Sequence, residues 1–571
     1  MEKKSIQHIL VLFFGTALFN ACTSSSNTIS VSTDPKKIAE GETAFNTYCS
    51  GCHNFRQNGI GPQLSNITAS EPAEWIHNFI KDPQSILQSS DKHAQALYHQ
   101  YKTTMPSFNT LNDNDIYNII AFLNTHHEQK IKDDTANAIK DPIPEKIPLS
   151  NLVVSVKPVI QISASSNSGK TPLARITKLD YQPTTKKLFV IDLRGKLYVL
   201  ENNNAHVYLD ITKYEPNFIN EPGLATGFGS FAFHPQYEKN SLFYTTHTEK
   251  PNSAKADFSY NDSIKTTVQW VLTEWKADDP NASTFKGTSR ELLRVNMVSG
   301  IHGMQEICFN PNAKRGDEDY GLLYIGIGDG GAAENGYAFL MHSPQKIWGT
   351  ILRIDPSGNN SANKKYGIPA GNPFANNKND VGEIYAYGFR NPHRITWTAT
   401  GQMIVCNIGH GNIESIDLIK KGNDYGWPIR EGRFALHAYG DLNKVYPLPL
   451  NDSVYKITYP VAVYDHDEGK AICGGFEYTG KLIPALKGKF LFGDIPTGRL
   501  FYIDIKDVRQ GNETPVKEWR VAINDSIKKL TQLCGSDRVD LHFGKDADGE
   551  LYILTKADGK IYKVISASEK P

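Results

Sequence analysis

Cys49-Ser50-Gly51-Cys52-His53 sets two thiols and an imidazole in the C-x-x-C-H order that attaches haem through two thioethers and places the adjacent histidine, His53, on the iron. The chain holds 7 Cys and 17 His in 571 residues. At that composition the string arises by chance about 0.003 times, so Cys49 and Cys52 are read as covalent anchors of a single haem c. An electron-transfer haem takes a second axial ligand, and a thioether there raises its reduction potential. Met105, in Thr104-Met105-Pro106-Ser107-Phe108, is the expected sixth ligand. A core methionine at that position, or ligation by His126 or His127, are the competing readings.

A haem held this way needs a small helical bundle around it. Ile116, Ile119, Ile120 and Leu123 recur at helical spacing after Met105 and predict a closing helix. From Gly41 to His127 the order of features resembles a class I cytochrome c, with a helix before the motif, Gly61-Pro62 after it, then Met-Pro and a final helix. The expected small all-α cytochrome c domain covers 38–128.

Ahead of it, Lys3 and Lys4 precede an apolar run from Ile9 to Phe19 that ends in Asn20-Ala21-Cys22, followed by Thr23 and serines. A helix needs roughly 20 apolar residues to cross a bilayer, so the run reads as a secretory signal. Its end resembles a bacterial lipoprotein box, which implies lipidation at Cys22, although Phe19 and Asn20 depart from the usual residues. An ordinary signal peptide with an incidental cysteine is the alternative. Residues 1–22 are therefore expected to be a lipoprotein-type signal peptide and 23–37 a Ser/Thr-rich linker. The protein is expected to be exported and held by lipid to a membrane of the bacterial cell envelope. Lys+Arg 61 against Asp+Glu 61 leaves no net charge, and without a basic surface nucleic acid is not expected as a partner.

Residues 129–150 are polar, charged and carry Pro142, Pro144 and Pro148, and read as a flexible tether. After it come short apolar runs such as Lys187–Asp192, Gly195–Leu200 and Leu322–Ile327, broken by Gly, Asn, Asp and Pro, with almost no helical periodicity. The phrase Asp-Gly-x-Leu-Tyr, as at Asp548–Tyr552, suggests the blades of an all-β propeller. Six blades of about 65–70 residues would fit 151–566, and two stacked β domains are the alternative. Cys308, Cys406, Cys473 and Cys534 could form up to two disulfides or remain buried thiols.

Six strings, Gly229–Pro235, Gly328–Gly331, Gly349–Asp355, Tyr387–Pro392, Lys421–Pro428 and Tyr464–Gly469, resemble the soluble glucose/sorbosone dehydrogenase family over roughly 151–564. The resemblance implies a six-bladed propeller that uses pyrroloquinoline quinone (PQQ) and calcium to oxidise sugars. It implies His302, in Gly300-Ile-His-Gly-Met304, as the general base. It places Arg390 and Asn391 at the quinone carbonyl, where negative charge develops as hydride arrives. Arg538 would pair with a cofactor carboxylate, and Gly409 and His410 would offer backbone carbonyls to calcium.

Three polar positions of that family are absent. Its quinone-proximal Gln falls at Ala225, the Asp before its catalytic His at Ile301, and a cofactor-pairing Lys at about Pro496. Without that Asp, Glu306 or Asp329 is left to orient His302. The plainer reading of His302, Arg390 and Asn391 is as buried polar groups that satisfy backbone between blades. Gly409, Gly426 and Trp427 read as turn and packing residues, and Asp465–Glu468 as a solvated loop, with calcium binding as the alternative.

The function these features point to is an exported quinohaemoprotein dehydrogenase. A PQQ/calcium site would oxidise a sugar or polyol hydroxyl, and the haem would pass electrons to a downstream acceptor, a cytochrome or the respiratory chain. The alternatives are a carbohydrate-binding or partner-docking propeller with a decayed quinone site, and a hydrolase or lyase using His302 as base.

Overall fold

The computed structural model describes residues 30–101, 104–127, 136–165, 172–221 and 224–569. Cys22 and the signal sequence lie outside the described residues.

The N-terminal unit is helical. Asp34 accepts the amide of Lys36 at 2.9 Å and Pro35 opens the helix Pro35–Tyr48, so a side-chain acceptor and a residue with no amide to lose sit where the backbone lacks partners. Asn112 caps the closing helix Asp113–Leu123 by accepting from Asp115 N at 2.9 Å. Ile116, Ile119, Ile120 and Leu123 are buried along one face of it, as their spacing predicts. The two helices cross at Gly41, where a β-carbon would overlap the carbonyl of Asn118. Phe45, Ile76, Ile80 and Phe108 complete a core in which Cys49 is buried.

From Leu149–Gln161 to Lys560–Glu569 the chain is a large, β-rich, propeller-like domain. Phe228–Phe233, Leu242–Glu249, Val268–Ala277 and Gly287–Met297 form one antiparallel four-stranded sheet in chain order. Glu306–Phe309 and Pro392–Trp397 each begin another four-stranded sheet. Apart from the small Arg430–Glu431/Phe434–Ala435 pair and Ser526–Lys528, which pairs off to the side, the other strands lie on one continuous path, in which the first strand, Leu149–Gln161, pairs antiparallel with the last, Lys560–Glu569. Ile176–Tyr181, Phe228–Phe233, Glu306–Phe309, Pro392–Trp397, Ile472–Glu477 and Leu541–Lys545 adjoin one another in turn, and Leu541–Lys545 returns to Ile176–Tyr181.

Polar groups on these adjoining strands bind them together. Lys178 Nζ lies 2.5 Å from Glu306 Oε1 and 3.2 Å from Ser230 Oγ, and Arg394 Nη1 lies 2.8 Å from Glu306 Oε2. All three charges are buried, and a buried charge persists only when it is paired. Glu306 is thereby committed to two cations and does not orient His302.

The structure corrects two sequence expectations and settles a third point. The described part of the expected tether, 136–150, is laid along the β domain. Ile139 N donates to Val445 O at 2.8 Å, Ile143 N to Asp465 Oδ2 at 3.3 Å, and Glu518 N donates to Pro148 O at 3.0 Å. Its prolines favour an extended backbone, and extended backbone offers amides and carbonyls to neighbouring strands and loops. The Asp465–Glu468 segment is not a solvated loop: Asp465 and Glu468 are buried, and Arg499 Nη1 donates to Glu468 Oε2 at 2.7 Å. Cys308, Cys406, Cys473 and Cys534 are all free thiols.

Candidate functional site

In the helical unit, His53 Nδ1 lies 2.8 Å from Pro62 O. The carbonyl can only accept, so Nδ1 carries the proton and Nε2 is presented to a metal, as in other histidine ligands fixed by an outer acceptor. Burial pushes the thiols of Cys49 and Cys52 up to about 12. Met105 packs against the core cluster that contains Cys49. Its rivals are otherwise engaged: the His126 ring stacks on Phe55 at 3.6 Å with Nδ1 3.1 Å from Phe122 O, and His127 is exposed. The residues present therefore fit a c-type haem with His53 on one face.

In the β domain the Gly328–Gly331 turn joins two of the expected site residues. Asp329 N donates to Arg390 O at 2.8 Å, and Gly330 N to His302 O at 3.2 Å. A β-carbon at Gly328 would overlap the His302 carbonyl, so this approach requires glycine. His302 itself has φ +51°, a left-handed conformation that the surrounding contacts hold.

Asp329 Oδ1 lies 2.8 Å from His302 Nδ1 and accepts from Gly331 N at 2.9 Å, while Oδ2 accepts from Trp427 Nε1 at 3.1 Å. The role left open between Glu306 and Asp329 therefore belongs to Asp329. Trp427, expected only to pack, holds that carboxylate. Burial lowers the His302 pKa from 6.5, the Arg390 guanidinium lowers it further, and Asp329 partly restores it. Burial acts to raise Asp329, but the hydrogen bond and charge of His302, together with Arg390, hold it below the ordinary carboxylate value. The result is a neutral imidazole whose Nδ1 proton is fixed on an ionised carboxylate, leaving Nε2 as the basic nitrogen.

Arg390 Nη1 donates to the carbonyl of Gly409, and its Nη2 lies 3.8 Å from Glu334 Oε2. The Gly409 carbonyl expected at calcium thus already faces a cation. Asn391 Nδ2 donates to Gln305 Oε1 at 3.2 Å. The His410 imidazole is buried with neither ring nitrogen hydrogen-bonded, and its Nδ1 is 3.5 Å from Glu334 Oε2. Glu334, which sequence reasoning missed, is pushed up to about 7 by burial, with Arg390 opposing and Asp329 adding to the shift.

Arg538 Nε pairs with Asp540 Oδ1 at 2.8 Å. Near it lies a second group that sequence reasoning missed, buried Lys556. Burial lowers its pKa to about 8; Asp540 opposes this, while Arg538 and Arg175 lower it further. Val539 N bonds Pro496 O and Lys556 N bonds Asp540 O, so Lys556 belongs to the neighbourhood where the family lysine is replaced by Pro496. Buried His393 Nδ1 and His542 Nε2 are also without hydrogen bonds, and Lys556 acts electrostatically on both rings. A cluster of cations with orphaned buried polar atoms suits a planar polar ligand carrying several carboxylates. The residues present fit PQQ in charge and polarity, with Ala225 and Ile301 supplying no polar group.

Comparison with known proteins agrees with this layout. The profile of the "Glucose / Sorbosone dehydrogenase" family matches residues 176–563, and that of "Cytochrome c" matches 38–127. HIPL1 protein of Arabidopsis thaliana is 25% identical over 415 residues, 65% of this chain and 56% of that protein. Quinoprotein glucose dehydrogenase B of Acinetobacter calcoaceticus is 25% identical over 325 residues, 50% of this chain and 58% of that protein. The chain thus spans little more than half the length of these curated relatives. The apo crystal structure of the soluble aldose sugar dehydrogenase of Escherichia coli superposes with a TM-score of 0.50 at 16% identity, covering 73% of this chain and 100% of that one, which is a likeness of fold. With a β domain matched almost throughout and a haem-binding unit ahead of it, this chain belongs to the glucose/sorbosone dehydrogenase family and carries an N-terminal cytochrome c domain.

Proposed function

We propose that the protein is a quinohaemoprotein dehydrogenase that oxidises a sugar or polyol hydroxyl in a six-bladed propeller and delivers the electrons to its own haem c. The observation that carries this reading is the buried His302–Asp329 pair beside Arg390, inside the family's domain. When bound, PQQ supplies the two-electron acceptor for the hydride of the substrate carbon.

His302 Nε2 takes the hydroxyl proton, and Asp329 stabilises the imidazolium that forms. Arg390 and Asn391 direct donors to the place where negative charge develops. Lys556, with Arg538 and Arg175 within its electrostatic reach, would hold the carboxylates of the cofactor. Calcium would be held by the carbonyls of Gly409 and His410, the first of which already accepts from Arg390.

The test is haem reduction followed by visible absorbance, on the purified holo-cytochrome given PQQ, calcium and a panel of aldoses and polyols. Reduction that needs both quinone and sugar is the expected result. Haem that responds to chemical reductants but to no sugar–quinone combination would return the β domain to the class of binding modules. Export and a lipid anchor at Cys22 belong to the same proposal and rest on the N-terminal sequence. Mass spectrometry of the mature N-terminus checks them, with an unmodified Cys22 as the contrary result.

A further inference from the structure

The loop that follows the haem motif is seated on the candidate site. Gln57 is 4% exposed, although it belongs to a short polar loop of a separate domain. Its Nε2 donates to Glu334 O at 3.0 Å and its Oε1 accepts from Leu442 N at 2.9 Å, so the amide is satisfied at both ends by the β domain. Asn443 Nδ2 donates to Asn58 O at 3.0 Å, and Arg56 donates to Tyr439 O. Gly336, at φ +88°, leaves room for Arg56, whose guanidinium a β-carbon would strike. A β-carbon placed on Gly59 would stand 3.5 Å from Glu334 Oε2 and 3.8 Å from Cys52 O. Glu334 therefore touches the haem loop on one side and faces Arg390 and His410 on the other. Cys52, a haem anchor, lies within electrostatic reach of Arg538 and Glu334.

We propose that Arg56–Gly59 is a docking loop whose receptor is Glu334, Tyr439, Leu442 and Asn443, and that this seat fixes the covalent haem over the His302–Arg390 site. Directional bonds to backbone groups specify one pose, whereas a tether alone specifies only a local concentration. Electron transfer from the site to the iron is then an event within one chain at a fixed geometry. This rests on the dehydrogenase reading, in which each substrate CH–OH becomes C=O with release of two electrons and two protons. The iron takes one electron per passage, Fe(III) to Fe(II), and an external one-electron oxidant of the class of a soluble cytochrome resets it between the two.

The experiment uses the full-length holoprotein and the variants Gln57→Ala and Asn443→Ala, read in two ways. Hydrogen exchange is expected to show Leu442 NH protected in the parent and exchanging at least tenfold faster in Gln57→Ala. Equal exchange in parent and variant overturns the docking. With PQQ and sugar, both variants should reduce a diffusible dye at the parental rate while sugar-driven haem reduction slows at least tenfold and becomes dependent on protein concentration. Haem reduction at the parental rate in both variants, with dye reduction intact, overturns the electron route. If the parent reduces no dye with any sugar, the dehydrogenase reading and the electron route built on it fall together, and the exchange measurement by itself still decides the docking.

Discussion

Replacing Asp329 by Asn keeps the shape of the side chain and removes the charge that His302 relies on. In the parent, Oδ1 can only accept from His302 Nδ1–H at 2.8 Å, which fixes the proton on Nδ1. An asparagine whose oxygen accepts from Trp427 Nε1 would turn its NH2 toward Gly331 N and His302 Nδ1, donate to Nδ1 and drive the ring proton onto Nε2, the nitrogen required as base; in the opposite orientation its NH2 would face the Trp427 N–H, and neither orientation leaves a charge to stabilise the imidazolium. A positioned general base is worth about 10²–10⁴-fold in rate, which corresponds to about 3–5 kcal/mol of barrier. The expected outcome for Asp329→Asn is therefore a fall in kcat of that size for PQQ- and sugar-dependent dye reduction, with KM for sugar little changed. The haem spectrum and chemical reduction of the haem should be unaffected, since Asp329 belongs to the β domain. In the parent, activity should rise with pH as His302 loses its proton, with the limb below 6.5 because burial and Arg390 lower its pKa. Asp329 raises that pKa, so residual activity in the variant should show the limb shifted to still lower pH. A kcat within threefold of the parent would refute the assignment of His302 as base and Asp329 as its orienting group.

Lys556→Met should weaken PQQ binding by about 10- to 100-fold, the scale of one lost hydrogen bond to a charged group, measured by calorimetric titration; unchanged affinity would remove Lys556 from the cofactor site. The same variant without cofactor should melt higher at pH 7, because burial makes the Lys556 cation costly and lowers its pKa to about 8. Met105→Ala should abolish the thioether-type haem spectrum and lower the reduction potential, whereas an unaltered spectrum would point to another ligand. Burial raises Asp417 from 3.8 to about 7. The folded state therefore holds its proton more tightly than the unfolded state, so its contribution to stability is fully present below pH 3.8 and is lost as pH rises through about 7. Melting temperatures of Asp417→Asn should decline less than those of the parent across that window, and parallel curves would count against the shift.

The cytochrome c domain was legible in the sequence, because the motif that marks it, Cys49 to His53, lies within one short string. The helical spacing of Ile116, Ile119, Ile120 and Leu123 is equally local, and the closing helix forms where it predicts. The β character of the rest followed from short apolar runs divided by turn residues, and the family from six ordered strings. What only the tertiary structure decided concerns partners far apart in the chain. Glu306 and Asp329 were equal candidates to orient His302 until the fold committed Glu306 to Lys178 and Arg394 and brought Asp329 beside the imidazole. Trp427 became a support for that carboxylate, and Lys556 entered a neighbourhood where Pro496 had signalled a missing cation. The tether was read as free because composition reports solvation and not the strand or loop a segment will lie against. Most decisive is the meeting of Gln57 with Glu334 and Leu442, hundreds of positions away. Local sequence sets which groups can bond, but a hydrogen bond is satisfied by distance and angle alone, and only the closed fold supplies those.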